Sequence, residues 1–189
     1  MPEKRLTIPN LLSILRILVA PLLIVAALAG SRQAFLALFL LSLASDALDG
    51  FLARQLNQVS EWGSRLDSLG DLATYLAALP GMWLLWPDLV RQERSYLLTG
   101  LLAVIVPIVL GFVKFRRLTS YHTRAAKTAA ILLGFAVPIL LLGGPAWPFR
   151  GAVLIFLLAE IEEAAITLRL TRWQANIPSF RHLVRQQDK

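Results

Sequence analysis

Four carboxylates lie close together in a chain that is otherwise strongly apolar. Asp46 and Asp49 are three residues apart, and Asp67 and Asp71 are four apart, so each pair lies on one face of a helix. Four acids at one depth in a medium of low dielectric constant repel one another, and a hard divalent cation with oxygen ligands relieves that repulsion. The four aspartates are therefore predicted to bind Mg²⁺ or Mn²⁺, and their number is sufficient for two ions.

The spacing of the two acidic pairs also predicts how they meet. A polar loop separates the two helices. Asp46 lies eight residues before Arg54, where the first helix meets this loop, and Asp71 lies eight residues after Gly63, where the second helix begins. In an antiparallel pair of helices, Asp46 then faces Asp71 and Asp49 faces Asp67. At 1.5 Å of rise per residue, these two facing pairs of aspartates lie roughly 6–12 Å below a membrane surface.

Small residues accompany the acids. Gly50 and Ala53 continue the face of the first pair, and Gly63 begins the helix of the second pair. Side chains of this size leave room for a ligand to approach the backbone.

The acids and the small residues together complete a known pattern, D-x2-D-G-x2-A-R-x8-G-x3-D-x3-D. Its fixed positions are Asp46, Asp49, Gly50, Ala53, Arg54, Gly63, Asp67 and Asp71. This pattern resembles the signature of the CDP-alcohol phosphatidyltransferases, which are integral membrane enzymes of phospholipid synthesis. The resemblance implies metal-dependent transfer of a phosphatidyl group from CDP-diacylglycerol to an alcohol acceptor, with release of CMP.

The resemblance also implies a role for each position of the pattern. The metal ligands are Asp46, Asp49, Asp67 and Asp71, and Asp71 is in addition the general base. The donor nucleotide and its phosphates are bound by Asp49, Gly50, Ala53, Arg54 and Gly63. A guanidinium such as that of Arg54 suits a phosphate because it donates two parallel hydrogen bonds.

Two parts of the sequence bear on the acceptor. The segment IPNLLSILRI resembles the opening of phosphatidylglycerophosphate synthases and of related cardiolipin synthases, which favours glycerol 3-phosphate or phosphatidylglycerol. Those groups often read D-P-x-A-D-K at the second acidic pair, where this chain has Ser68 in place of the proline and Leu72 in place of the lysine. The Asp-Ser form is closer to branches that use serine or an inositol phosphate. Glycerol 3-phosphate is the preferred acceptor, and the others stay open.

Basic residues outside the pattern are candidates for a phosphate on the acceptor. They are Arg16, Arg65, Arg117, Arg124 and Lys127. Arg16 lies about two turns inside the first apolar segment, on the same side as Asn10 and Ser13. The alternative for the loop residues is that they bind lipid head groups, and for Arg65 that it neutralises a nearby carboxylate.

Composition predicts an all-α integral membrane protein. The 189 residues are 57% hydrophobic with a mean hydropathy of +0.63, which is too apolar for an ordinary soluble domain. We expect one membrane domain over residues 1–189, with a short N-terminal segment at the interface. Its six predicted spans are about 8–28, 33–54, 63–86, 95–113, 124–142 and 149–170.

Charge predicts the orientation. Twelve of the 19 Lys and Arg residues fall on the side that holds the acidic hairpin, which favours two cytoplasmic termini and an active site that faces the cytoplasm. The expected location is the bacterial inner membrane. The net charge of +7 is then attributed to membrane lipids rather than nucleic acid. The family resemblance further implies a possible homodimer.

Two other classes of protein are compatible with acids inside a membrane. A cation-coupled transporter also carries them, but its sites usually lie near the bilayer midplane at broken helices or between repeats. Here the acids cluster towards one surface and the sequence contains no evident repeat. A lipid-binding scaffold would have no use for the complete signature, so the enzyme is favoured.

Overall fold

The computed structural model describes residues 7–56, 58, 60–116, 123–170, 179, 180 and 183, and this part contains α-helices and no β-strands. The helices are α1 (Ile8–Leu28), α2 (Arg32–Gln55), α3 (Glu61–Leu85), α4 (Pro87–Gln92), α5 (Arg94–Phe115), α6 (Arg124–Leu141) and α7 (Trp147–Arg169). The chain forms two compact units, Met1–Val90 and Arg91–Lys189, and each is described by itself.

The six long helices lie where the apolar segments predict them, and no end differs by more than two residues. Four of them (α1, α2, α5 and α6) are long and apolar enough to cross a membrane. The helices α3 and α7 are of similar length but do not meet that criterion; their charged side chains include Asp67 and Asp71 on α3 and Glu160 on α7.

One segment differs from its prediction. The predicted spans end at residue 86 and resume at residue 95, which makes 87–94 a polar connecting loop, but most of these residues form the short helix α4. Pro87 stands at its first position, where a missing N–H costs nothing, and Asp88 lies in its first turn, where a negative charge favours the helix dipole. The Val90 N–H completes the turn by donating to the Trp86 carbonyl at 3.0 Å.

Hydroxyl side chains begin four of the long helices. Each accepts a hydrogen bond from the backbone N–H three residues later, which satisfies a donor that the helix itself leaves open. These N-cap residues are Thr7 for α1, Ser31 for α2, Ser60 for α3 and Thr123 for α6.

In the first unit, α1 packs against both α2 and α3, while α2 and α3 contact each other less. The Arg32 Nε donates to the Leu85 carbonyl at 2.8 Å, so the start of α2 lies beside the end of α3. Further along, the hydroxyls of Ser42 and Thr74 are 3.3 Å apart and both residues are buried. The two helices are therefore antiparallel, which brings their acidic residues level.

Close packing fixes the end of this unit that lies away from the acids. Phe35 is fully buried, and its ring centroid lies 5.7 Å from that of Trp86. The Phe35 ring occupies the space that a Cβ atom at Gly81 would need. Glycine therefore allows α2 and α3 to approach each other here.

In the second unit, α7 packs against α5 and α6. At one end, Arg150 of α7 donates to both carboxylate oxygens of Glu93, at 2.9 and 2.7 Å. At the other end, Lys114 of α5 donates to the carbonyls of Thr167 and Leu168, at 3.0 and 2.6 Å. Because the starts and the ends coincide, α5 and α7 are parallel.

Large apolar side chains cover the outside of both units. Exposed fractions reach 62% at Leu18, 65% at Leu76, 69% at Val113 and 71% at Phe135. Apolar surface of this extent is unfavourable in water and normal in contact with lipid. The helices and their surfaces therefore have the character of a membrane protein.

Candidate active site

The four aspartates of α2 and α3 meet on facing sides of the two helices. We call Asp46, Asp49, Asp67 and Asp71 the aspartate cage. The Asp49 side chain is nearly buried at 6% exposure, whereas the other three are 39–50% exposed. Asp49 is thus shielded from solvent, whereas Asp46, Asp67 and Asp71 are accessible to a ligand.

Arg16 of α1 lies in the middle of this cage, with its side chain 2% exposed. Its Nη1 donates to Asp46 Oδ1 at 2.6 Å and to Asp71 Oδ1 at 2.5 Å. Its Nη2 donates to Asp49 Oδ2 at 2.7 Å and to Asp67 Oδ1 at 2.5 Å. Each nitrogen joins one acid of α2 to one acid of α3, in the pairing that the antiparallel register predicts.

A second side chain of α1 holds the buried acid. The Ser13 hydroxyl lies 3.0 Å from Asp49 Oδ2, the oxygen that Arg16 also contacts. Asn10, Ser13 and Arg16 recur every third residue and are all buried. Sequence reasoning placed them on one side of the helix but gave Ser13 no role. The signal was the presence of three polar residues on one face of an apolar span.

Glycines of α3 let this polar face come close. A Cβ atom at Gly63 would lie 2.8 Å from Asn10 Oδ1, and one at Gly70 would lie 3.3 Å from Arg16 Nε and from the Ser13 carbonyl. Gly63 was predicted to leave room for a ligand, and in the structure Asn10 takes the space beside it. Gly70, which the signature does not include, makes room for Arg16.

The cage fits a hard divalent cation. Ligand oxygens from Asp46, Asp49 and Asp67 all lie within 4.8 Å of one another. Carboxylate oxygens are the ligands that Mg²⁺ and Mn²⁺ prefer. Arg16 offsets only one of the four negative charges, so the site retains an excess that favours further positive charge.

The remaining predicted residues are spread over both units. In the first unit, Arg54 is exposed in the last turn of α2, and a Cβ atom at Gly50 would lie 3.6 Å from its Nη1. Ala53 is partly buried, and Arg65 is exposed in the second turn of α3. In the second unit, Arg124 and Lys127 are exposed in the first turn of α6, and Arg117 lies outside the described residues.

The chain matches the family model described as CDP-alcohol phosphatidyltransferase over residues 6–167. Among curated proteins, it is 32% identical over 139 residues to the CDP-diacylglycerol--glycerol-3-phosphate 3-phosphatidyltransferase of Cereibacter sphaeroides, covering 67% of this chain and 62% of that protein. It is 33% identical over 162 residues to the cardiolipin synthase (CMP-forming) of Streptomyces coelicolor, covering 77% of this chain and 70% of that protein.

The chain is 32% identical over 155 residues to the CDP-diacylglycerol--glycerol-3-phosphate 3-phosphatidyltransferase of Pseudomonas fluorescens, covering 76% of each chain. With the cardiolipin synthase (CMP-forming) of Rattus norvegicus the identity is 36% over 124 residues, or 65% of this chain and 40% of that protein. The chain thus spans about 62% and 40% of the length of two of these relatives. No solved structure matches the chain significantly.

Proposed function

This chain belongs to the CDP-alcohol phosphatidyltransferase family, and we propose that it transfers a phosphatidyl group from CDP-diacylglycerol to an alcohol, releasing CMP. The observation that carries the proposal is the aspartate cage, in which two antiparallel helices of one unit present the four acids of the signature to one another. The preferred acceptor is glycerol 3-phosphate, because two of the similar proteins are named CDP-diacylglycerol--glycerol-3-phosphate 3-phosphatidyltransferase.

In this proposal, Asp46, Asp49, Asp67 and Asp71 hold one or two Mg²⁺ or Mn²⁺ ions. A cation held by these residues would supply the positive charge that neutralises the diphosphate of the donor and stabilises the CMP leaving group. The acceptor oxygen forms a bond to the phosphorus of the phosphatidyl group as the bond from that phosphorus to CMP breaks. Asp71, 39% exposed in the cage, accepts the proton of the acceptor hydroxyl.

The donor binds along the end of α2. Arg54 is exposed there and donates to a phosphate of CDP-diacylglycerol. Gly50 and Ala53 present little side chain on the same face, so the nucleotide can approach the helix backbone. The family signature also implies donor contacts at Asp49 and Gly63, and at Gly63 the donor would share the space with Asn10.

Three other acceptors are alternatives to glycerol 3-phosphate. Cardiolipin synthases are also among the similar proteins, so phosphatidylglycerol stays an alternative. Ser68 and Leu72, which depart from the D-P-x-A-D-K form, keep serine and inositol phosphate open. Candidates for a phosphate on the acceptor are Arg16, Arg65, Arg117, Arg124 and Lys127.

We further propose that α3 and α7 cross the membrane together with the four more apolar helices, which gives six spans. Their length of 25 and 23 residues supports this topology, and so does the exposed apolar surface of α3. The proposal includes cytoplasmic termini, a bacterial inner membrane location, a cytoplasmic active site and a possible homodimer. Since the family match extends from residue 6 to 167, it covers parts of both units, and we treat 1–189 as one family domain.

The test uses purified protein in detergent with CDP-diacylglycerol, Mg²⁺ and a panel of acceptors: glycerol 3-phosphate, serine, inositol phosphate and phosphatidylglycerol. CMP release that requires one acceptor and stops with EDTA supports the proposal and identifies the acceptor. Asp71→Asn should abolish turnover while donor binding is largely retained, and Asp88→Asn on α4 is the matched control. No CMP release with any acceptor, together with cation flux in vesicles, would instead indicate a transporter.

A further inference from the structure

Arg16 has no place in the signature, yet it contacts all four of its aspartates. We propose that Arg16 is the built-in counter-cation of the aspartate cage: it holds the carboxylates together before a divalent cation binds, and it competes with that cation for them. The inference rests on the metal site of the proposed function. It makes Arg16 a positioning residue that sets the affinity of the cage for metal.

The aspartate cage needs a positive charge to assemble. Four carboxylates that face one another across two neighbouring helices repel one another, and the repulsion is strong where water is scarce. The contacts between α2 and α3 are few compared with those that each makes to α1. Arg16, on α1, supplies the attraction, because each terminal nitrogen binds one acid of α2 and one of α3.

A bound cation and the Arg16 guanidinium need the same space. Oxygens on opposite sides of an Mg²⁺ ion lie roughly 4.2 Å apart, since each Mg–O distance is about 2.1 Å. The ligand oxygens of Asp46, Asp49 and Asp67 all lie within 4.8 Å of one another, so a cation that binds all three would lie between them. The Nη atoms of Arg16 are 2.5–2.7 Å from oxygens of these three acids. Two positive centres at such separations also repel each other.

Among the residues that the structure describes, the four acids supply all the hydrogen bonds to the guanidinium. Within the described residues, Arg16 Nε is buried without a hydrogen-bond partner, which is unfavourable for a donor. It faces Gly70, where there is no side chain to receive it. A guanidinium held only by its terminal nitrogens can withdraw once a divalent cation takes over the carboxylates.

Binding of Mn²⁺ tests this competition without any need for turnover. The full chain in detergent is stripped of metal with EDTA and titrated with Mn²⁺, and free Mn²⁺ is followed by electron paramagnetic resonance. Arg16→Gln should bind Mn²⁺ at least about tenfold more tightly than the wild type. Without metal, the same variant should unfold at a lower temperature and gain more from added Mn²⁺. Arg32→Gln, at the other end of α2, is the matched control and should keep the wild-type affinity.

A second variant covers the case in which Arg16→Gln does not fold. Arg16→Lys retains the positive charge but has a single side-chain nitrogen, so it cannot contact both the Asp46–Asp71 pair and the Asp49–Asp67 pair. Its Mn²⁺ affinity should therefore exceed that of the wild type. If the wild type binds Mn²⁺ and neither variant binds it more tightly, the competition is disproved and the metal site stands. If the wild type binds no Mn²⁺, the metal site itself is wrong and the inference is lost with it.

Discussion

Gly70 of α3 lies directly against the Arg16 side chain of α1. A Cβ atom at Gly70 would lie 3.3 Å from Arg16 Nε and 3.4 Å from Arg16 Cβ, which is closer than side chains normally pack. The absence of a side chain at Gly70 therefore leaves the space through which the Arg16 side chain reaches the aspartate cage. A position within the second acidic pair thus has a structural role that the signature does not record.

Enlarging Gly70 should displace Arg16. We expect Gly70→Leu to lower the free energy of unfolding by about 1–3 kcal/mol, as overpacking generally does, and to lower the rate of CMP release. The control is Gly134→Leu on α6, because a Cβ atom at Gly134 meets nothing within 4 Å. Thermal unfolding in detergent measures the difference, and equal melting temperatures for the two variants would contradict the role of Gly70.

Gly81 should be sensitive for a different reason. A methyl group there overlaps the buried Phe35 ring, so Gly81→Ala should cost about 1–3 kcal/mol even though alanine favours a helix. Because Gly81 lies at the end of α3 away from the cage, the surviving folded protein should keep its turnover per molecule. Gly100→Ala, which points into open space, is the control. Normal stability of Gly81→Ala would mean that α2 and α3 are less tightly packed there than described.

Asp49 and Asp46 should differ although they are one helical turn apart. Asp49 is 6% exposed and accepts from both Ser13 and Arg16, whereas Asp46 is 50% exposed. Hydrogen bonds to a charged group contribute about 1.5–3 kcal/mol each, so Asp49→Asn should destabilise the metal-free protein by about 1–2 kcal/mol more than Asp46→Asn. Urea unfolding in EDTA compares them, while Mn²⁺ binding should weaken in both. Equal unfolding midpoints would argue against the buried position of Asp49.

The ion pair of Glu93 and Arg150 predicts an asymmetry. Glu93 is 1% exposed and receives two hydrogen bonds from Arg150, which is 41% exposed. Removing the arginine leaves a buried carboxylate without its partner, whereas glutamine at position 93 carries no charge. Arg150→Met should therefore unfold at a clearly lower temperature than Glu93→Gln. The reverse order would show that the carboxylate reaches water.

The parts that followed from the sequence are those governed by local pattern. Apolar runs of about 20 residues predicted six helices, and helical spacing predicted which acids share a face. The pairing of Asp46 with Asp71 followed from the distance of each to the connecting loop, because rise per residue is nearly constant.

Contacts between helices were harder to predict, since they depend on how each helix is rotated about its axis. The sequence placed Arg16 deep in the first span, but its four partners lie 30 to 55 residues away. The meeting of Gly63 with Asn10 likewise depends on how α1 packs against α3. The helix α4 was missed because its six residues are too few for a periodic pattern.

The bonds at the two ends of α5 and α7 have a mechanical consequence. Arg150 and Glu93 join the helices where they begin, and Lys114 joins them where they end, at the Thr167 and Leu168 carbonyls. Sliding one helix along the other by a single turn would rupture both attachments at once. These attachments therefore oppose sliding of α5 along α7, so we expect motion of the pair to consist of tilting or bending.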